Sequence, residues 1–410
     1  MDLELVTVGN ELLLGFTHDT NARDLALAVA PAGGRIVRRA TVGDEPHAIG
    51  DAVGQALART GFVVTSGGLG PTSDDLTREA VAKELRRELK VDQSVLDDIV
   101  ARFAKLRPGP MPASNRKQAE VPAAAEVLAN AHGSAPGLWI DDDRGTVVLL
   151  PGVPSEFRAM AAEYLVPRIR ERSGTAHRVQ SRTLRTTGIS ESALADRLAE
   201  SVASLADVEV AFLPSLRTVD IRVTASGEAD VVSRRLDEAE TLLRPILADD
   251  LYGAAEEDLA ATVLEMLRQR DARLAVAESC TGGLIAARLT EVAGAGDTFL
   301  GGIVTYGNKA KTRDLGVQED LIARVGAVSV EVAEAMVRGV TDRFGVDAAI
   351  AVTGIAGPSG GTSEKPVGTI CLAAAWRGEI RVVKRHVPGS RYQVRRRAAQ
   401  AALDLLRRML

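Results

Sequence analysis

Short apolar runs that end in glycine-rich turns and pass into helical patterns recur at both ends of this chain. That alternation restricts the fold to parallel sheets covered by helices on both faces. Residues 3–8 form the first such run and lead into Gly9-Asn10-Glu11-Leu12-Leu13-Leu14-Gly15, after which Asp19-Thr20-Asn21 caps a helix expected over 22–30. A strand over 35–41 follows, then Gly43-Asp44-Glu45-Pro46, with Asp44 as N-cap and Pro46 in the first turn of a helix reaching Arg59. The third strand, 62–65, opens into Ser66-Gly67-Gly68-Leu69-Gly70-Pro71-Thr72-Ser73-Asp74-Asp75 and a helix predicted over 76–89. Near the C-terminus, the strand 274–277 runs into Glu278-Ser279-Cys280-Thr281-Gly282-Gly283 and a helical stretch, 284–292. A strand-like run covers 298–306, and the buried-type strand 346–352 ends in Thr353-Gly354-Ile355-Ala356-Gly357.

The turn after residue 277 places Ser279 or Cys280 at a helix N-terminus, where unpaired N–H groups can hold an anion or a developing oxyanion. A serine needs a base. None of the five histidines (His18, His47, His132, His177, His386) lies in a glycine-rich turn, which disfavours a histidine triad. Lys311, thirty-two residues after Ser279, follows the run 298–306, and a poorly hydrated lysine can act as the base. The competing reading makes Ser279 an N-cap and Lys311 a solvated helix residue. A second competitor takes Cys280 as nucleophile, its thiol activated by the helix terminus. Cys371 sits in an apolar run and reads as core. Arg391 and Arg395, one turn apart on the last helix, could grip a phosphate together.

The loop 66–75 lies at the C-terminal end of a parallel strand, where open α/β sheets bind ligands. Its glycines and hydroxyls suit phosphate, whereas Asp74 and Asp75 repel it. A hard divalent cation reconciles the two, unless those aspartates merely cap the next helix. Between the two constellations, about 175–250, the pattern is strand, helix, strand, strand, helix. Residues 249–257, rich in glycine, alanine and acid, read as a linker.

With 410 residues and 46% hydrophobic content the chain can fill two or three cores. A net charge of −5 gives no general bias toward nucleic acid, and two cysteines give no disulfide framework. No apolar run is long enough to span a bilayer, and the N-terminus has no signal-peptide pattern, so a cytoplasmic location is expected.

Ala277 to Gly283 (AESCTGG), the Tyr306, Asn308 and Lys311 pattern, TGIAGP from Thr353 to Pro358, and Lys365-Pro366-Val367-Gly368-Thr369 together resemble the PncC family, the C-terminal part of CinA proteins. The resemblance implies deamidation of nicotinamide mononucleotide to nicotinic acid mononucleotide and ammonia, with no metal. Ser279 would be the nucleophile, Lys311 the general base, and Tyr306 an assistant. Cys280, Thr281, Gly282, Gly283, Asn308, Thr353, Gly354 and Gly357 would line the substrate site, with Arg391 and Arg395 on the phosphate.

GNELLLG at 9–15, Asp19-Thr20-Asn21, GGLGPTSDD at 67–75, Asn115 with Lys117-Gln118-Ala119, and the segment 150–156 resemble the N-terminal half of CinA proteins, which shares the fold of molybdopterin-binding MoaB and MogA. This second resemblance implies metal-dependent hydrolysis of ADP-ribose to AMP and ribose 5-phosphate, with Mg, Mn or Co as the metal. Asp74 and Asp75 are the first candidates for metal ligand or base, Glu11 and Glu156 the next. Gly9, Asn21, Gly67, Gly68, Gly70, Thr72, Asn115, Lys117, Gln118, Pro151 and Gly152 would contact the nucleotide. Ser66 stands where the family more often has threonine.

The middle segment resembles the KH-like domain of CinA but lacks the GXXG loop on which RNA-binding KH domains depend, so a spacer or dimer-forming role is expected. The expected architecture is therefore α/β throughout. It comprises a three-layer molybdopterin-binding-like domain (1–172), a KH-like α+β domain (173–252) and a three-layer amidohydrolase domain (253–410). The chain is expected to form a homodimer, with small nucleotides as partners and neither membrane nor nucleic acid. The alternatives are an N-terminal domain that holds a pterin or nucleotide without turnover, and a regulatory role in DNA uptake or repair.

Overall fold

The computed structural model describes residues 1–106, 109–174 and 178–410; Thr175, where the middle segment was expected to begin, and His177 lie outside them. The chain divides into two compact units, Met1–Gln180 with Ser226–Arg234, and Ser181–Ala225 with Arg235–Leu410.

In the first unit the strands are β1 (Asp2–Val8), β2 (Arg35–Val42), β3 (Phe62–Ser66), the short β4 (Leu89–Val91) and β5 (Glu120–Pro122), then β6 (Glu126–Leu128), β7 (Gly137–Asp142) and β8 (Gly145–Leu150). Six of them form one sheet in the order β2-β1-β3-β8-β7-β6. Neighbours from β2 to β8 run parallel, as the alternation demands, while β7 and β6 close the edge antiparallel. Because side chains alternate across a strand, Val6, Val8, Val63, Val147 and Leu149 enter one core, and Leu3, Leu5, Val64, Val148 and Leu150 enter the other.

Two local expectations fail here. The helix predicted over 76–89 is only Thr77–Glu84, because Arg86 turns into the left-handed region (φ 54°) and Leu89–Val91 pairs with β5. Asp44 does not cap the helix Pro46–Thr60; its carboxylate accepts from the Asn10 N–H at 3.0 Å and so fixes the one-turn helix Asn10–Leu13.

The second unit holds two sheets. β9 (Arg178–Thr186), β10 (Val208–Pro214), β11 (Val219–Gly227) and β12 (Leu251–Ala254) form the order β10-β11-β9-β12, with helices Glu191–Ser204 and Ala229–Leu247; the first residues of β9, the last of β11 and the start of the second helix are counted with the first unit. The segment expected to be a linker is thus partly strand. Leu251 and Ala254 pair antiparallel with Thr186 and Leu184, an arrangement that a four-residue run with a central glycine does not announce.

The last sheet comprises β13 (Leu274–Glu278), β14 (Phe299–Val304), β15 (Ala348–Gly354), β16 (Thr369–Trp376) and β17 (Glu379–His386), in the order β14-β13-β15-β16-β17. β14, β13 and β15 are parallel, so the loops following all three open at one end. Leu274, Val276, Ile350 and Val352 pack toward helices Leu259–Arg268 and Arg391–Arg407. Ala275, Ala277, Ala349 and Ala351 face helix Val330–Phe344. Both faces are covered, which completes three layers. Among the described residues no helix is long and apolar enough to cross a membrane.

Candidate active site

Ser279 follows directly on β13, where its N–H donates to Val352 O on β15 at 2.9 Å. Gly282 and Gly283 then take left-handed conformations (φ 60° and 92°) that other residues rarely adopt, and the helix begins only at Leu284. This corrects the expected geometry, in which Ser279 or Cys280 opened the helix. Three N–H groups at the start of that helix are already engaged. The Glu278 carboxylate, 1% exposed, accepts from Gly283, Ile285 and Ala286 at 3.0, 3.1 and 2.9 Å. Sequence reasoning passed over Glu278, since its spacing is not that of a capping box.

Lys311 lies on helix Asn308–Leu315, one strand over, and is 1% exposed. Its Nζ is 3.0 Å from Ser279 Oγ, 2.8 Å from Thr305 O and 3.4 Å from Tyr306 O. Burial pushes the ammonium pKa below the ordinary lysine value, with a smaller opposing pull from Cys280. A neutral amine has two N–H bonds and one lone pair. The two carbonyls can take the N–H groups, which turns the lone pair toward the serine hydroxyl.

Cys280 does not fit the nucleophile alternative. Its thiol is buried against Gly354, and desolvation pushes its pKa up to about 12, opposite to the activation a helix terminus would give. Thr281 is fully buried, and its hydroxyl, like that of Thr305, has no partner among the described residues. Tyr306 does not turn its ring to the dyad. Its phenol oxygen, on a side chain 59% exposed, accepts from Arg391 Nη2 at 2.6 Å, and Arg391 Nη1 donates to Gly357 O at 2.9 Å. These contacts tie the loops after β14 and β15 to the start of the last helix. Arg395 does not share that position. It donates to the carbonyls of Cys280 and Thr281 (3.2 and 2.7 Å), so it braces the serine turn and is not free to grip a phosphate alongside Arg391. Thr353 donates to Ala327 O at 2.8 Å, and Asn308 stands exposed at the start of its helix.

In the first unit a cleft of about 410 Å³ opens at the C-terminal ends of β1, β3 and β8. Gly9 and Glu11 line it after β1. Gly67, Gly68, Gly70, Thr72, Asp74 and Asp75 do so after β3, and Pro151, Gly152 and Glu156 after β8, with Gln118 beside them. At Gly67 (φ 105°) a Cβ would lie 2.4 Å from Val8 O, so only glycine lets the loop pass this close to β1.

Neither aspartate caps the next helix. Asp75 Oδ2 accepts from the Thr72 N–H at 2.8 Å and from the Thr72 hydroxyl, closing the loop on itself. Lys117 donates to Asp75 O at 2.6 Å and pairs with Glu79 at 2.9 Å, which makes it a clamp behind the loop. Asn21 bonds Ser66 Oγ and Gly152 O, both at 2.8 Å, and Asn115 donates to Gln118 Oε1 at 3.0 Å; neither lines the cleft. Glu156 accepts from Asn130 at 2.7 Å. Arg78, absent from the sequence-based candidates, is 1% exposed and donates to Leu69 O and Lys117 O, both at 2.9 Å, so it pins the loop from beneath. Among the described residues no three His, Cys, Asp or Glu side chains gather as a metal cage. Glu11, Asp74, Asp75 and Glu156 nevertheless all line the cleft, and carboxylates are the donors a hard cation takes.

Residues 4–171 match the family model described as a probable molybdopterin binding domain, 181–253 the damage-inducible protein CinA KH domain, and 256–410 the CinA C-terminal domain. A CinA-like protein of Gemmatimonas aurantiaca is 50% identical over 413 residues, covering 100% of this chain and 96% of that protein. The chain belongs to the CinA family. A second CinA-family relative, a putative competence-damage inducible protein of Symbiobacterium thermophilum, is 43% identical over 425 residues, covering 100% of this chain and 99% of its own. The solved structure of a CinA protein of unknown function from Thermoplasma acidophilum is 34% identical, with a TM-score of 0.38, over 41% of this chain and 97% of that one.

Proposed function

We propose that this chain is a bifunctional hydrolase of pyridine nucleotides. Its C-terminal site deamidates nicotinamide mononucleotide, and the observation that carries this reading is the buried Lys311 Nζ 3.0 Å from Ser279 Oγ. Ser279 Oγ attacks the carboxamide carbon while Lys311 takes its proton. Lys311 then returns the proton to the departing nitrogen, and ammonia leaves an ester on Ser279. Water, deprotonated by Lys311, attacks that ester and releases nicotinic acid mononucleotide. Arg391, held by Tyr306 and Gly357, faces the phosphate of the mononucleotide.

The N-terminal cleft hydrolyses ADP-ribose to AMP and ribose 5-phosphate. A divalent Mg, Mn or Co ion would supply charge neutralisation at the pyrophosphate and a more acidic water. Asp74 and Asp75, with Glu11 and Glu156, would hold it. The glycine-lined floor at Gly67 and Gly68 receives the phosphates, and Arg78 and Lys117 keep that floor in place. The match of residues 4–171 to a probable molybdopterin binding domain favours a second reading of this cleft, binding of a nucleotide or pterin without turnover. We further propose that this chain acts in the cytoplasm, as a homodimer.

Incubation of the purified chain with each nucleotide, with products identified by mass, tests both activities. Ammonia from nicotinamide mononucleotide in the presence of a chelator supports the serine–lysine site. Absence of turnover of either nucleotide with any divalent metal removes the enzymatic reading.

A further inference from the structure

A cleft of about 470 Å³ within the second unit, which shares no lining residue with the serine–lysine site, lies between the sheet of β9 to β12 and the last helix with β17. Its size falls within the ~300–1,000 Å³ typical of small-molecule pockets. The guanidinium-bearing residues Arg217, Arg385 and Arg397 line it, and among its described lining residues the only carboxylate is Asp404. Asp404 is not available to neutralise them. Arg407 and Arg408 donate to its two oxygens at 2.7 and 2.8 Å.

The basic groups differ in commitment. Arg397 donates to the carbonyls of Leu216 and Pro388, which fixes its guanidinium at the wall. Arg217 reaches Asp258 only at 3.9 Å, and Arg385 is exposed, with no ion pair or hydrogen bond among the described residues. The floor adds a donor. Gln400 Nε2 donates to Thr187 Oγ1 at 3.2 Å with both residues buried, so the Thr187 hydroxyl hydrogen is left for an acceptor in the cleft. Gly188, Ile189 and Ser190 bring the N-terminus of the fourteen-residue helix Glu191–Ser204 to the same wall.

We infer that this cleft binds the phosphate of a small phosphorylated molecule of nucleotide size. Guanidinium groups with at most one long ion pair between them, an outward hydroxyl and a helix N-terminus converge on one cleft, which is the donor set that recognises phosphate. Among the described residues no phenylalanine, tyrosine or tryptophan lines the cleft, which favours a small anion over a nucleic-acid strand whose bases would stack on such rings.

The test titrates inorganic phosphate and AMP by calorimetry into the full chain and into Arg385→Ala, Arg217→Ala and Lys384→Ala. Lys384 neighbours Arg385 on β17 but pairs with Cys371, so it faces the opposite side of the sheet and controls for net charge. One binding site for phosphate or AMP is expected to weaken about tenfold or more in Arg385→Ala and Arg217→Ala, as for loss of a charge-assisted hydrogen bond. It should be unchanged in Lys384→Ala. Thermal unfolding of each variant checks that the fold is kept. Equal affinity and stoichiometry in all four proteins would overturn the inference. So would binding of a short single-stranded RNA, lost in Arg385→Ala, with no binding of either small anion.

Discussion

Replacing Lys311 by methionine removes the amine while keeping an unbranched chain in the same channel. Two effects on stability oppose each other. The carbonyl of Thr305 loses its 2.8 Å donor, and orphaning a buried acceptor costs about 1–3 kcal/mol. Against that, a side chain only 1% exposed no longer has to carry a charge whose burial has already lowered its pKa. The net change in unfolding free energy should therefore stay within about 2 kcal/mol, and the variant should fold.

Catalysis has no such compensation. Loss of a general base lowers kcat/KM by about 10²–10⁴, and Lys311→Arg, which cannot deprotonate, should be equally impaired. Ammonia release from nicotinamide mononucleotide, followed as a function of pH, is the assay. In the wild type kcat/KM should rise with pH and level off below the ordinary lysine value of 10.5, because burial favours the neutral amine. The same shift has a stability signature. Between the lowered folded pKa and the higher unfolded one, the unfolded chain holds more protons, so stability rises with pH through that window. Lys311→Met should lack that rise. Retention of more than about a tenth of wild-type kcat/KM in Lys311→Met, or a plateau reached only at the ordinary lysine pKa, would refute the assignment.

Ser279→Ala should abolish ammonia release while Cys280→Ala keeps it, and a thiol reagent at mild alkaline pH should leave Cys280 unmodified until the chain is unfolded, since its pKa is about 12. Glu278→Ala strips the acceptor from three backbone N–H groups; a loss of about 2–4 kcal/mol in urea denaturation is expected, with Glu278→Gln intermediate. Chelation should stop AMP release from ADP-ribose without slowing ammonia release, and Asp75→Asn should impair only the former, as measured by product mass.

The alternation of strand and helix made the layered sheets readable, because apolar runs buried on both faces admit few other folds. The serine–lysine pair was readable through the family resemblance of its motifs, and the structure supplies the physical reason. Parallel strands β13 and β14 deliver both residues to the same sheet end, whatever the loops do in detail. What escaped were interactions whose sequence spacing carries no signal. Glu278 folds forward onto a helix that starts six residues later, after two left-handed glycines that delay it. Arg391 and Arg395 share a helix face, yet each guanidinium is drawn to a different loop. The helix beyond Glu84 stops at a residue, Arg86, whose type gives no warning of a positive φ.

The pairing of β13 with β14 also sets the register of the chemistry. Glu278 sits opposite Val304, and the next residues, Thr305 and Ser279, are locked by the Thr305 N–H to Glu278 O bond at 2.7 Å. The lysine is oriented by carbonyls only five and six residues before it, so its half of the dyad can form locally. The serine cannot join it until two strands distant in sequence have found each other, and a slip of one residue would turn Ser279 to the opposite face. Recovery of amidase activity during refolding is thus a timer for correct parallel pairing of the edge strand β14 with β13, separable from the earlier return of helical signal.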